Sequence, residues 1–502
     1  MSVTAALGRH AAEAPGRDAL VFEDARLSWR DLDHAAHRLA GLIAATTPAG
    51  GGVALHLPTG PALALIFLAA ARAGREAQVL DPDWPEAMTR GILAELAPAV
   101  TVTAEPGLAG ERTIVLADPL APFQAVEPAF AVAAEQAFGH KARAARVAEP
   151  DAGLPFYVGF TSGSTGLPKG YRRDHRSWTE SFRGDAQEFG IGPDDVVLAP
   201  GTLTHSLFLY ALVHGLHAGA RVVLCRRFRP DLALRLIERE QATVLYGVPT
   251  QLQLMLDAAG DKTFASLRWV LSSGAKWPRQ ARQALSRAFP ESQFAEFYGA
   301  SETSFITVAK AAEGVPETSV GRAFSGVRVT IRDRAGRRMP AGRAGFVFVE
   351  SPFLFMNYAC GETADLLRQG DALSVGDIGY LDRQGFLHLV GRAARKIVTS
   401  AKNVYPEEIE RVLESHPAVE AAAVLGVADI RRGERLVALV RLRPDLAVAG
   451  AALIAHARLA LPLYKVPRLY AEVSDWPLTR SGKTDFEALG QTWAAGRFTR
   501  LR

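Results

Sequence analysis

Between residues 190 and 290 the chain alternates strand-like with helix-like segments, and this alternation constrains its fold more than any other feature. Arg221–Cys225 is a short β-branched run that reads as a strand. Asp231–Glu240 places apolar residues at helical spacing behind an Asp at its start. Thr243–Pro249 is a strand again, and Thr250 is expected to cap a helix from Gln251 to Ala259. Leu267–Leu271 reads as a strand and Pro278–Ala288 as a helix. Strand–helix alternation calls for parallel sheets covered by helices. Ligands of such sheets sit beyond the carboxyl ends of the strands. Three segments that follow predicted strands can therefore share one cleft: the loop after Phe156–Phe160, Ser273-Gly274-Ala275, and Tyr298-Gly299.

At 502 residues the chain exceeds the roughly 250–300 residues of a single core, so two or more domains are expected. From about residue 325 the pattern changes. Val327–Ile331, Gly345–Glu350 and Gly385–Val390 are short strands between turns, which predicts a small antiparallel barrel or sheet closing the large domain. After Arg392 come a helix over 406–415, strands over 419–427 and 435–442, a helix over 450–460 and a strand over 468–474. The predicted fold class is α/β: a large domain of helix-covered sheets over 1–392 and a small, mobile α+β domain over 393–502.

The loop after the first of these strands is Thr161-Ser-Gly-Ser-Thr-Gly-Leu-Pro-Lys169-Gly170. Glycine permits close backbone approach and positive φ, so such a loop can turn N–H groups and hydroxyls toward an anion. Lys169 adds a full positive charge, and a polyphosphate is the natural ligand. The spacing is not that of the common phosphate loop, in which Gly-Lys-Ser/Thr follows four residues after a first Gly.

These ten residues resemble the phosphate-binding signature of the adenylate-forming superfamily, which includes acyl-CoA synthetases, peptide-synthetase adenylation domains and beetle luciferases. Further matches follow in the expected order. Tyr298-Gly-Ala-Ser-Glu302 resembles Tyr-Gly-x-Thr-Glu, and Gly376-Asp377-Ile-Gly-Tyr380 resembles Gly-Asp-x-Gly-Tyr/Phe. Gly391-Arg392 with Asn403–Glu410 resembles the hinge and the entry to the small domain. Pro477–Lys483 resembles the terminal catalytic-lysine motif. Asp18–Asp33 resembles the opening strand pair and helix.

The resemblance implies an enzyme that attaches AMP to a carboxylate, using ATP and Mg²⁺. Thr161, Ser162, Gly163, Ser164, Thr165, Gly166 and Lys169 would hold the β- and γ-phosphates. Glu302 would hold the metal, which takes oxygen ligands and bridges phosphates. Ser301 keeps the hydroxyl of the usual Thr. Tyr298 and Gly299 would lie along adenine, with Ser273, Gly274 and Ala275 at its edge. Asp377 would accept from the ribose hydroxyls, and Arg392 would add a donor. Lys483 would reach both anions as they meet.

The acyl pocket implied by the resemblance is His205, Ser206, Phe208, Val248, Thr250, Ala300, Ser304 and Phe305, a mainly apolar wall with His205 at the carboxylate end. Amino-acid-activating relatives carry an Asp in this segment, and none stands between Ala199 and Gly219, so an aliphatic or aromatic acid without a free α-amine is expected. The implied hinge falls at Ala394, with Arg395 next, where the commonest family pattern has Asp at both places. Ser400-Ala401-Lys402-Asn403 replaces the frequent Gly-Gly-x-Asn, and Ala401 adds a methyl where the second glycine lines the thiol tunnel. CoA is the expected thiol acceptor. The alternatives are an acyl-AMP ligase loading a phosphopantetheine carrier protein, or a noncatalytic or oxidising descendant of the fold.

Composition excludes other classes. The 57 basic and 53 acidic side chains leave a net charge of +4, which gives no basis for a nucleic-acid partner. Leu63–Ala71 is apolar but far short of the roughly 20 residues of a membrane span. The N-terminus lacks the apolar core of a signal peptide, so a cytoplasmic location in fatty or organic acid metabolism is expected. Two cysteines do not make a disulfide scaffold, and Cys225, ending the run Val222–Leu224, should be a buried thiol.

Overall fold

The structure is a computed structural model that describes residues 1–108, 110–138, 145–161, 168–274, 276–277, 279–361, 365–399, 402–429, 433–479 and 483–501. Contacts divide the chain into two compact units. The first is Met1–Val329 with Val349–Ala364 and Asp371–Leu373; the second is Thr330–Phe348 with Asp365–Gly370 and Ser374–Arg502.

The first unit contains two sheets. In the nine-stranded sheet, Gln293–Ala300, Trp269–Ser273, Val244–Gly247 and Val196–Ala199 are consecutive parallel neighbours, followed by Arg221–Leu224 and Asp18–Phe22. Helices Pro230–Glu240, Pro249–Ala259 and Arg279–Ala288 connect these strands. Leu198, Val223, Ile237, Leu245, Met255, Val270 and Phe289 are all buried in one cluster there. Each such side chain contributes about 1.5–3 kcal/mol through burial. The seven-stranded sheet runs Asn357–Cys360, Lys169–Asp174, Pro155–Thr161, Glu76–Val79, Gly52–His56, Val100–Thr103, Thr113–Val115. The apolar helix Pro61–Arg72 is buried on nearly every side, which accounts for its composition. No helix among the described residues is long and apolar enough to cross a membrane.

One helix start differs from expectation. Thr250 does not cap; it is exposed in the first turn of Pro249–Ala259. The cap is Val248, whose N–H donates to the Gln251 side chain at 3.2 Å. Proline at the first helical position has a fitting φ and no N–H to satisfy, so Pro249 moves the start upstream. Pro230 does the same ahead of Asp231.

In the second unit, Gly345–Glu350, Asp377–Leu381 and Leu387–Arg392 pair antiparallel in succession. A further sheet is built on the hairpin Val419–Asp429 and Gly433–Leu442, with Leu469–Glu472 parallel to its second strand. Val404, Ile409, Leu413, Val440 and Leu453 form one buried cluster, which includes helices Pro406–Glu414 and Gly450–Ala460. Leu439, Val473, Trp476 and Leu489 form a second one. Leu489 comes from helix Phe486–Ala494, an element beyond the sequence reading; its signal is Asp485, whose carboxylate accepts from the Ala488 N–H at 2.9 Å. The mixed α/β architecture, with a small α+β portion after Arg392, is the one expected.

Candidate active site

The strands flanking the proposed phosphate loop form a hairpin in which Thr161 pairs with Lys169 and Phe160 with Gly170. Residues Ser162, Gly163, Ser164, Thr165 and Gly166 lie outside the described residues. Gly170 is pinned on its other side opposite Cys360, and a Cβ there would stand 2.8 Å from the Cys360 sulfur. Lys169 Nζ lies 5.9 Å from the centre of the Tyr358 ring, within range of a cation–π attraction.

Glu302 sits on the turn between Gln293–Ala300 and the antiparallel strand Ser304–Lys310. The Ala300 N–H donates to Thr303 Oγ1 at 3.1 Å, and the Thr303 N–H donates to the Ala300 carbonyl at 3.1 Å. A Cβ on Gly299 would fall 2.0 Å from the Ser304 carbonyl oxygen, so only glycine fits. Ser304 itself holds φ near +59°, and Ala300, directly opposite, is half-buried. Only 8% of Glu302 is exposed. Its Oε1 accepts the Tyr358 hydroxyl at 2.7 Å, and its carbonyl accepts the Phe355 N–H at 2.8 Å. The neighbouring Ser301 carbonyl accepts Arg173 Nη1 at 3.0 Å. Among the described residues nothing donates to Oε2. That leaves one carboxylate oxygen available, which suits a hard cation that takes its remaining ligands from phosphate and water. No group of three potential metal ligands occurs among the described residues.

Sequence reasoning missed Tyr358 and Arg173. Tyr358 lies in the four-residue edge strand Asn357–Cys360, which has no motif of its own. Arg173 did offer a signal: an arginine four residues beyond Lys169 on the same strand faces the same way as the lysine.

The carboxyl ends of the consecutive parallel strands bring the other candidates to one rim. Ser273 pairs with Phe297, the residue before the half-buried Tyr298. Gly274 follows with φ near +100°, and Ala275 lies outside the described residues. His205 caps helix Ser206–Ala218, its Nδ1 accepting the Leu207 N–H at 3.3 Å. Ser206 begins that helix half-buried. Phe208 is buried against Gly201, where a Cβ would meet the ring at 1.9 Å. Phe305 is buried too, stacked on Phe324 at 4.4 Å and edge-on to Tyr210 at 5.2 Å. Val248 is half-buried.

Beneath Tyr210 lies Asp185, fully buried, with His214 Nδ1 at 3.6 Å and the Tyr246 hydroxyl at 3.5 Å. Burial raises the Asp185 carboxyl well above its usual range and pushes the His214 imidazole down to about 3. Both shifts favour the neutral forms, because desolvation penalises a charge on either side chain.

The second unit gathers three of its predicted residues. Asp377 and Arg392 are cross-strand partners, and Arg392 Nε donates to Asp377 Oδ1 at 2.9 Å. Asp377 is buried while the Arg392 side chain is 60% exposed. Lys483 retains exposed surface, yet its ammonium is held below the usual lysine range: partial desolvation and repulsion by Arg392 outweigh attraction by Asp377. Its turn is closed by the Lys483 N–H donating to Thr479 Oγ1 at 3.2 Å and the Thr479 N–H donating to the Lys483 carbonyl at 2.7 Å. Ala394 is exposed within a single turn, Ala393–Arg395. Arg395 Nη2 donates to Glu410 Oε1 at 2.6 Å, and Nη1 donates to Glu407 at 3.1 Å. Ala401 lies outside the described residues. Away from the site, Cys225 is buried as expected, donates to the Pro200 carbonyl at 3.2 Å and has its thiol pushed up to about 12 by burial.

Residues 7–359 match the family described as AMP-binding enzyme, and residues 408–483 match its C-terminal domain. The chain belongs to this family of adenylate-forming acyl-CoA ligases. It is 36% identical over 489 residues to the protein named uncharacterized acyl-CoA ligase YhfT of Bacillus subtilis (strain 168), covering 96% of each chain. It is 33% identical over 339 residues to the fatty acid–[acyl-carrier-protein] ligase ScoC of Streptomyces coeruleorubidus, covering 64% of each. Among solved structures it resembles O-succinylbenzoate coenzyme A synthetase (MenE) of Bacillus subtilis in complex with ATP and magnesium ion. The TM-score there is 0.80, with 26% identity over 95% of this chain and 97% of that one.

Proposed function

We propose that the chain activates a carboxylic acid with ATP and transfers the acyl group to the thiol of CoA. In the first step a carboxylate oxygen attacks the α-phosphorus, the bond to the bridging oxygen breaks and pyrophosphate leaves. In the second the thiol sulfur attacks the acyl carbonyl, AMP leaves and the thiol proton is lost. Both reactants of the first step are anions, so the site must supply positive charge and oriented donors. Lys169 and Thr161, fixed opposite each other by the hairpin register, would hold the β- and γ-phosphates with the loop between them. Glu302 would hold Mg²⁺, which neutralises phosphate charge when bound. Tyr298, Gly299, Ser273 and Gly274 would meet the adenine, and Asp377 with Arg392 the ribose. Lys483 would join the two anions.

Glu302 carries this reading: a buried carboxylate, on a turn that only glycine at 299 permits, with one oxygen held and the other available. The similarity to an acyl-CoA ligase over 96% of the chain supports CoA as acceptor. Similarity to a carrier-protein ligase keeps a second reading, in which the thiol is a phosphopantetheine arm. We further place the functional boundary between 392 and 393, with the segment beyond it turning about Ala394 or Arg395 between the two steps, and the enzyme in the cytoplasm. Pyrophosphate release across a panel of carboxylic acids, with and without CoA, tests the proposal. Acid-dependent release followed by CoA-dependent thioester supports it; acyl-AMP that ignores CoA but loads a carrier protein supports the second reading.

A further inference from the structure

Arg173 is 1% exposed, and its guanidinium bonds to neutral acceptors: Ser301 carbonyl at 3.0 Å, Phe353 carbonyl at 2.5 Å and Ser177 Oγ at 3.2 Å. It makes no ion pair with a described carboxylate. Burying a cation this way is costly to folding. Desolvation outweighs attraction by Tyr171, Asp174, Tyr157 and Glu302 and holds the guanidinium down at about 10. The bonds to three acceptors offset part of that cost and raise the question of what they hold in place. The acceptors themselves answer it. The Ser301 carbonyl precedes Glu302, and Phe353 opens the segment whose Phe355 N–H and Tyr358 hydroxyl both hold Glu302. The strand also places Arg173 on the same face as Lys169, whose ammonium lies over the Tyr358 ring.

We propose that Arg173 and Tyr358 are positioning residues for Glu302: Arg173 fixes the backbone ahead of it and Tyr358 fixes its Oε1, so that Oε2 is the oxygen presented to the metal of Mg·ATP. The inference rests on the reading of Glu302 as the metal ligand. Two carboxylate oxygens compete for any cation, and occupying one with a strong donor sets the direction in which the other points. The lysine over the ring places the phosphate-binding charge against the same aromatic that orients the carboxylate.

The test uses the full chain with R173M, R173K and Y358F, measuring thermal unfolding, Mg²⁺-dependent ATP binding by calorimetry, and ATP–pyrophosphate exchange. R173M removes the buried charge at similar volume but leaves the Ser301 and Phe353 carbonyls without this donor, so some loss of thermal stability is expected. While folded, it should need about tenfold more Mg²⁺ for half-maximal ATP binding, R173K should recover part of that loss, and Y358F should lose a similar factor. ATP binding in the presence of chelator should change by less than about twofold. Should R173M be too unstable to assay, R173K decides the role of Arg173, and Y358F, which removes one oxygen, that of Tyr358. Parental Mg²⁺ dependence in every folded variant overturns the proposal. Should Glu302→Gln also leave Mg²⁺ dependence unchanged, the metal-ligand reading is what has failed; a shift in Glu302→Gln alone overturns only the positioning role.

Discussion

The guanidinium of Arg395 lies 3.5 Å from the centre of the Phe486 ring, face-on as a cation–π pair, while its nitrogens bond Glu407 and Glu410. Phe486 stands three residues after Lys483, at the start of helix Phe486–Ala494. The side chain beside the proposed pivot is thus tied to the helix that follows Lys483, the lysine proposed to join the two anions. Ala394, exposed and small, has no such ties among the described residues. Sequence reasoning left the pivot open between the two; these contacts favour Ala394.

Ala394→Pro is therefore expected to leave adenylation within about threefold of the parent and to stop thioester formation, because proline fixes φ near −65° and restricts the residue before it. Comparing pyrophosphate release with thioester yield checks this. Arg395→Gln should instead act on folding, costing about 3 kcal/mol by leaving Glu410 buried with a weaker partner. Full CoA ligation by the proline variant removes the pivot from Ala394.

Glu302→Gln keeps size and removes one negative charge. It should raise the Mg²⁺ requirement of ATP–pyrophosphate exchange by about tenfold or more and lower turnover. A magnesium titration at fixed ATP decides it, and an unchanged midpoint leaves Glu302 as a turn residue bonded to Tyr358.

Asp377→Ala removes the acceptor proposed for the ribose hydroxyls. Each hydrogen bond to a carboxylate is worth about 1.5–3 kcal/mol, so an increase in the KM for ATP of at least about tenfold is expected. The same loss should appear when the parent enzyme is given 2′,3′-dideoxy-ATP. Equal use of both nucleotides by the parent speaks against the contact.

The candidate site was legible where function restricts residue type at fixed spacing. Gly299 before Ser301-Glu302 and Gly376 before Asp377 could be read because few residues satisfy their backbone requirements. The alternating strands could be read because a buried parallel strand demands a short β-branched run. Tyr358, Arg173 and Asp185 were not legible, for one shared reason. Each acts through a partner distant in sequence: Tyr358 on Glu302, Arg173 on Ser301, Asp185 against His214 and Tyr246. Such pairings arise only when sheets and helices meet, and no local spacing encodes them. The Thr250 cap failed locally, because Pro249 offers the helix a better first residue than threonine offers it a cap.

The last prediction concerns the charge on Lys483. Desolvation and the Arg392 guanidinium hold its ammonium below the ordinary lysine range, with Asp377 pulling the other way. The proposed role requires the protonated form, so adenylation should be full below that lowered value and fall as pH rises through it, earlier than for an ordinary lysine. Arg392→Gln removes the repulsion, so at saturating ATP its alkaline limb should move to higher pH. Asp377→Asn removes the attraction and should move the limb lower. Lys483→Ala should lose adenylation by about 100- to 1000-fold and lose this limb with it, while thioester formation from supplied acyl-AMP stays near the parental rate. Pyrophosphate exchange measured across pH for the four proteins distinguishes the cases. A limb that persists in Lys483→Ala belongs to another group, and opposite displacements in the Arg392 and Asp377 variants identify Lys483 as its source.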